Sequence, residues 1–161
     1  MSHDPVTPLG QALGRIPSGL YILTVRQGDH ATGMLASWVQ QAGFDPPMLT
    51  VAVGLKRYVG DWIASSGRFT LNQVPTGGKA LIRHFGRGFG PDEPAFEGLA
   101  LKTIEGFGVI LEGAVACLEA EVQGEIQGGD HRVFLARVVN GALLQAPCEP
   151  LVHVRHNGYH Y

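Results

Sequence analysis

Cysteine is nearly absent from this 161-residue chain. Its two cysteines, Cys117 and Cys148, form no Cys-x-x-Cys pair, which leaves little room for a dithiol redox centre or a zinc knuckle. Cys117 lies in Ala116-Cys117-Leu118, where cysteine behaves as a small apolar residue. Charge is also sparse. Charged residues make up 16% of the chain and the formal net charge is −2, which argues against a nucleic-acid partner held by phosphate contacts, since that normally needs a basic face. No apolar stretch is long enough to cross a bilayer, and Met1 to Leu9 lacks the basic-then-apolar order of a secretory leader. A cytoplasmic protein with neither membrane nor nucleic-acid partners is expected. No serine or cysteine stands in a nucleophile elbow, and no carboxylate pair is set for acid–base work. Gly86-Arg87-Gly88-Phe89-Gly90 is not a G-x-G-x-x-G and follows a helical stretch where that fingerprint needs a strand, so a dinucleotide-binding wound sheet is not expected.

What the chain has in abundance is turn-formers: 23 glycines and 10 prolines. That density favours many short strands over a few long helices. Leu20 to Arg26 and Ala31 to Trp38 flank the turn Gln27-Gly28-Asp29-His30 and read as a hairpin. Further strands are predicted over Leu49 to Val53 (after Pro46-Pro47), Phe69 to Val74, Val109-Ile110, Ala114 to Val122, His131 to Val139 and Leu151 to Arg155. Helical spacing marks Pro8 to Ile16, Tyr58 to Ser65 before the stop at Gly67, and Gly78 to Phe85. Gly86 to Gly98 is read as a loop. These intervals fit a mainly antiparallel β-barrel in one 161-residue domain, with residues 1–8 as a flexible tail.

Two stretches pair small or polar residues with β-rich runs that hold them still. One is Gly33-Met34-Leu35-Ala36-Ser37-Trp38, followed by Asp45-Pro46-Pro47; the other is Gly128-Gly129-Asp130-His131 opening onto Arg132 to Val139. Lys56-Arg57 sit just before the Tyr58 helix, where cations, free N–H groups and the helix dipole together favour an anion. With Phe69-Thr70-Leu71-Asn72 and Pro150-Leu151-Val152-His153 through Gly158-Tyr159, this ordered set resembles the flavin reductase-like family. The likeness covers residues 10 to 161. It is nearest to the flavin reductase domain of cyanobacterial flavodiiron proteins, through Gly19 to Thr24, Leu35 to Val39 and the terminal His156-x-x-x-His160-Tyr161.

The resemblance implies an FMN-binding split β-barrel of antiparallel, Greek-key type. It implies that Met34, Leu35, Ala36, Ser37 and Trp38 lie along the flavin ring, that Lys56 and Arg57 hold the phosphate, and that Asn72 belongs to the same binding set. His84 and Phe85 would approach the open ring face, and His131 would lie near the nicotinamide or flavin as the catalytic candidate. The implied activity is hydride transfer from NAD(P)H to bound flavin and on to free flavin, oxygen or a protein acceptor, in a homodimer. Two alternatives stand beside it: an electron-transfer flavoprotein serving a redox protein partner, and a non-enzymatic split-barrel binding module. The phosphate loop Gly54-Leu55-Lys56-Arg57-Tyr58 lacks the hydroxyl-rich run of many such reductases. The metallo-β-lactamase-like and flavodoxin-like modules of flavodiiron proteins have no counterpart in these residues, so di-iron oxygen reduction is not expected of this chain. His153, His156 and His160 suggest a metal only superficially: in a strand, residues 153 and 156 face opposite ways, and no acid or cysteine lies among them.

Overall fold

In the computed structural model, which describes residues 6–160, α1 (Pro8–Gly14) leads into β1 (Ser18–Gly19) and β2 (Tyr21–Gln27). A two-residue turn returns the chain as β3 (His30–Ala36), followed by β4 (Val39–Phe44), β5 (Pro47–Gly54), α2 (Tyr58–Ser66), β6 (Arg68–Gln73) and α3 (Lys79–Gly86). A long loop reaches β7 (Leu101–Lys102) and β8 (Ile110–Leu111), and the chain then runs through β9 (Ala116–Gly128), β10 (His131–Leu143) and β11 (Val152–His153). Seven strands make one antiparallel sheet in the order β3-β2-β6-β9-β10-β5-β4, and two small pairs, β1-β11 and β7-β8, stand beside it.

That order has a geometric consequence. The two edge strands, β3 and β4, are consecutive in the chain and joined only by Ser37-Trp38. Ala36 and Val39 can therefore be no more than about 10 Å apart. The sheet must curl until its edges meet, giving a barrel split along one seam, with Ser37-Trp38 crossing the gap.

Alternation along the strands builds the interior. Leu49, Val51 and Val53 of β5 are buried at every second position, as are Leu23 and Val25 of β2 and Phe69 and Leu71 of β6. These side chains meet Phe134 and the Val59 and Ile63 face of α2 in one apolar cluster. Full burial of each such side chain contributes roughly 1.5–3 kcal/mol. Gly67 ends α2 in the left-handed conformation (φ 69°), its N–H donating to the Ile63 carbonyl at 2.9 Å. On the other side of the sheet, Leu20, Ile22, Val74 and Phe85 form a second cluster under α3. Here Gly33 matters: a Cβ would lie 2.7 Å from the Phe85 ring, so only glycine lets α3 pack this closely on β3.

Several boundaries differ from the sequence reading. The strand β4 was not expected, because Gln40-Gln41-Ala42-Gly43 carries no β-branched residue; it forms by pairing with β5. The β9–β10 hairpin runs well past Val122 and Val139, because backbone pairing alone continues it where both faces are polar or exposed. The first helix stops at Gly14, and Thr7 caps it by accepting from the Gly10 N–H at 3.1 Å. Thr7 and Pro8 thus begin the helix rather than end a tail. Val6 is exposed ahead of that cap; residues 1–5 of the expected tail and the terminal Tyr161 lie outside the described residues.

Candidate functional site

The seam opens into a cavity of about 500 Å³ between the end of β3, the β5–α2 turn, the start of β10, α3 and β11. Its size suits a small-molecule site, and its lining is mostly apolar with a few polar groups. Met34, Leu35, Ala36 and Ser37 supply the β3 side. Phe85, with Ile82 and Gly86, supplies the α3 side. Arg57 and His131 are the charged and titratable members that the sequence singled out.

Ser37 is 4% exposed, and its hydroxyl is the buried side-chain polar atom that finds no hydrogen-bond partner among the described residues. The seam explains this. Ser37 stands between two edge strands, where no ladder neighbour faces it. A buried hydroxyl without a partner is disfavoured by about 1–3 kcal/mol, so a polar ligand is the natural complement.

Arg57 is the N-cap residue of α2, and its side chain makes no capping bond and no ion pair among the described residues. It is exposed at the edge of the lining, and its Nη1 approaches Gly88. His131 opens β10 opposite Gly54, its Nδ1 2.6 Å from the Asp130 carboxylate. That hydrogen bond, and secondarily the charge of His131, hold the Asp130 carboxyl below the usual carboxylate range. With Nδ1 engaged, Nε2 of His131 is the ring nitrogen left for a ligand.

Other expected site residues stand elsewhere. Trp38 does not line this cavity; its ring lies 4.6 Å from that of His131 and 5.2 Å from the Arg155 guanidinium. It faces an adjoining groove of about 630 Å³ that shares Ser37, Ala52 and Val152 with the cavity. Lys56 is exposed in the turn and outside the lining. Asn72 is fully buried and spent on backbone: its Nδ2 donates to the carbonyls of Ile22 (3.3 Å) and Val109 (3.1 Å), and its Oδ1 accepts from the Leu111 N–H (2.8 Å). His84 also turns away, with Nε2 2.8 Å from the Ala95 carbonyl and its ring against Phe85 and Phe89. The sequence reading did not place Leu20, Leu151, Val152 and His153 in the site; they reach it from distant parts of the chain. Among the described residues no three His, Cys, Asp or Glu side chains gather as a metal-ion set.

A curled antiparallel sheet with a mostly apolar cavity at its seam defines a split β-barrel suited to a flat, partly polar ligand. The chain belongs to the flavin reductase-like domain family, which matches it over residues 13–160. It is similar to diflavin flavoprotein A 1 of Synechocystis sp., with 38% identity over 154 residues, 95% of this chain and 27% of that protein. The chain spans little more than a quarter of the length of the curated relatives it matches. Among solved structures, the NADH:FAD oxidoreductase of Streptomyces globisporus shares the fold at a TM-score of 0.84 and 24% identity, covering 96% of this chain and 91% of that one. The styrene monooxygenase flavin reductase of Pseudomonas putida S12 aligns at a TM-score of 0.77 and 25% identity, covering 92% and 93%.

Proposed function

We propose that this chain holds FMN in the seam cavity and passes a hydride from NAD(P)H to it, then on to free flavin, oxygen or a protein acceptor. The observation that carries this reading is the buried, unpartnered Ser37 hydroxyl in a cavity that also holds a guanidinium and a histidine. The ring of a bound flavin would accept the hydride and release its electrons, chemistry the cofactor itself supplies. The protein binds and orients. Arg57 offers a planar cation to the phosphate. Ser37 offers a hydroxyl to the ring, and Met34 to Ala36 with Phe85 give it apolar walls. His131, aimed by Asp130, presents Nε2 to the approaching nicotinamide or to the flavin.

A homodimer is part of the proposal. Ile126 (70% exposed), Leu135 and Leu143 place apolar surface on the β9–β10 hairpin, and burying it against a second copy would remove it from water. Analytical ultracentrifugation at micromolar concentration should show one species of twice the chain mass; a monomer removes this part. No helix among the described residues is long and apolar enough to cross a membrane. A cytoplasmic setting, where free thiols and reduced nicotinamides coexist, fits the reading.

The test is the visible spectrum of the purified protein with FMN, before and after anaerobic NADH or NADPH. Bleaching within seconds supports the reductase. A protein that stays yellow until a reduced redox protein is added favours the electron-carrier reading, and one that takes up no flavin overturns both.

A further inference from the structure

One polar group in the cavity has no task in the scheme above. His153 belongs to β11, which pairs with β1 through Ser18↔His153 and Gly19↔Val152, in a sheet separate from the one that carries His131. Along an extended chain alternate side chains share a face. Leu151 packs into the cluster of Leu20, Ile22 and Phe85, whereas Val152 is 63% exposed. Val152 borders both the cavity and the adjoining groove, whereas His153, on the same face as Leu151, lines only the cavity. Its imidazole is half-buried, and among the described residues it has no hydrogen bond, ion pair or ring contact.

Three polar side chains thus face the ligand without a fixed protein partner, and their chemistry differs. Arg57 only donates, which suits a phosphate. A neutral imidazole and a serine hydroxyl each donate and accept. They suit an edge on which carbonyl acceptors flank an N–H donor, as in the imide of a flavin's pyrimidine ring. We propose that His153, together with Ser37, is a positioning residue that hydrogen-bonds this imide edge and fixes the direction in which the flavin lies. The assignment rests on the flavin reading.

Titration of the purified protein with FMN and with riboflavin, which lacks the phosphate, separates the two. His153→Leu should weaken both ligands about tenfold, the value of one hydrogen bond to a buried group. His153→Gln, which keeps a donor and an acceptor, should restore affinity to within about threefold of the wild type, and Arg57→Ala should weaken FMN alone. Ligand-free melting should be unmoved by His153→Leu. An unchanged affinity in His153→Leu, a glutamine variant as weak as leucine, or a loss confined to FMN overturns the assignment. Should leucine impair folding, the imidazole C–H resonance of His153 in the wild type decides: it must shift when riboflavin is added, and a static signal overturns the role. Wild-type protein that binds neither flavin defeats the flavin reading itself, a separate result from any of these.

Discussion

Two regions of this barrel bury polar side chains, and they treat them in opposite ways. A cleft of about 340 Å³ between β2, β6, β9 and the 106–109 segment holds Thr24, Thr70 and Glu119, with Asn72 just beyond. Thr70 donates to the Glu119 carboxylate, which also accepts from the Gly108 N–H at 3.1 Å and Arg68 Nε at 3.3 Å. Thr24 donates to the Val109 carbonyl at 2.8 Å, and Asn72 satisfies three backbone groups. In the seam cavity, Ser37 has no such partner. A closed set of polar groups tethers the 106–111 segment to the sheet and leaves nothing over. The open set leaves hydrogen-bonding capacity for something that is not protein. Saturation, rather than the presence of polar residues, separates a structural cleft from a binding one.

Substitutions on the two sides should therefore fail differently. Asn72→Leu should cause the largest effect, about 3 kcal/mol of stability in denaturant unfolding, because it leaves the buried Leu111 N–H without its acceptor and removes a donor from the Ile22 and Val109 carbonyls. Its flavin affinity, measured where it remains folded, should match wild type; a selective loss of binding would return Asn72 to the site. Lys56 and Arg57 replaced together by alanine should weaken FMN by about 2 kcal/mol, nearly all of it from Arg57. Single variants read by fluorescence quenching check that division, and an equal share for Lys56 would break it. Ser37→Ala should lower flavin affinity by about 1 kcal/mol while leaving ligand-free stability unchanged or slightly raised, since it removes a buried hydroxyl with nothing to bind. Destabilisation of the empty protein would erase the contrast between the regions.

Two smaller effects sharpen it. The hydrogen bond from His131, and secondarily its charge, hold the Asp130 carboxyl below the usual carboxylate range, so its hold on that ring persists at neutral pH and fades only as acid protonates the carboxylate. Asp130→Asn should then slow anaerobic reduction by NAD(P)H at neutral pH, where the carboxylate is ionised; an unchanged rate would assign the orientation of His131 to another group. On the closed side, burial pushes the Cys117 thiol up, and it should resist iodoacetamide at neutral pH under native conditions. Labelling at the rate of the partly exposed Cys148 would show that region opening.

Much of this was legible in the chain. The apolar run after Pro46-Pro47 revealed β5, alternation revealed β6, helical spacing revealed α2 and α3, and small residues beside β-rich runs singled out Ser37 and His131, both of which line the seam cavity. The misplacements share one cause. Asn72 and His84 look like free polar groups in sequence, yet their partners are the backbones of Val109, Leu111 and Ala95, which no local pattern announces. His153 is the converse case. Its neighbours Leu151 and Val152 read as an ordinary closing strand, and only the packing of β11 against β1 brings the ring to a cavity built mainly from other parts of the chain.

The two-residue bridge at Ser37-Trp38 links occupancy to the condition of the whole protein. Where the barrel meets itself, β3 and β4 present edges that no third strand covers among the described residues. A molecule seated there acts as a clasp, adding its binding energy to the folded form and shielding edges that could otherwise recruit a strand from another chain. On the proposed flavin reading, loss of the cofactor would uncover those edges as well as empty the site.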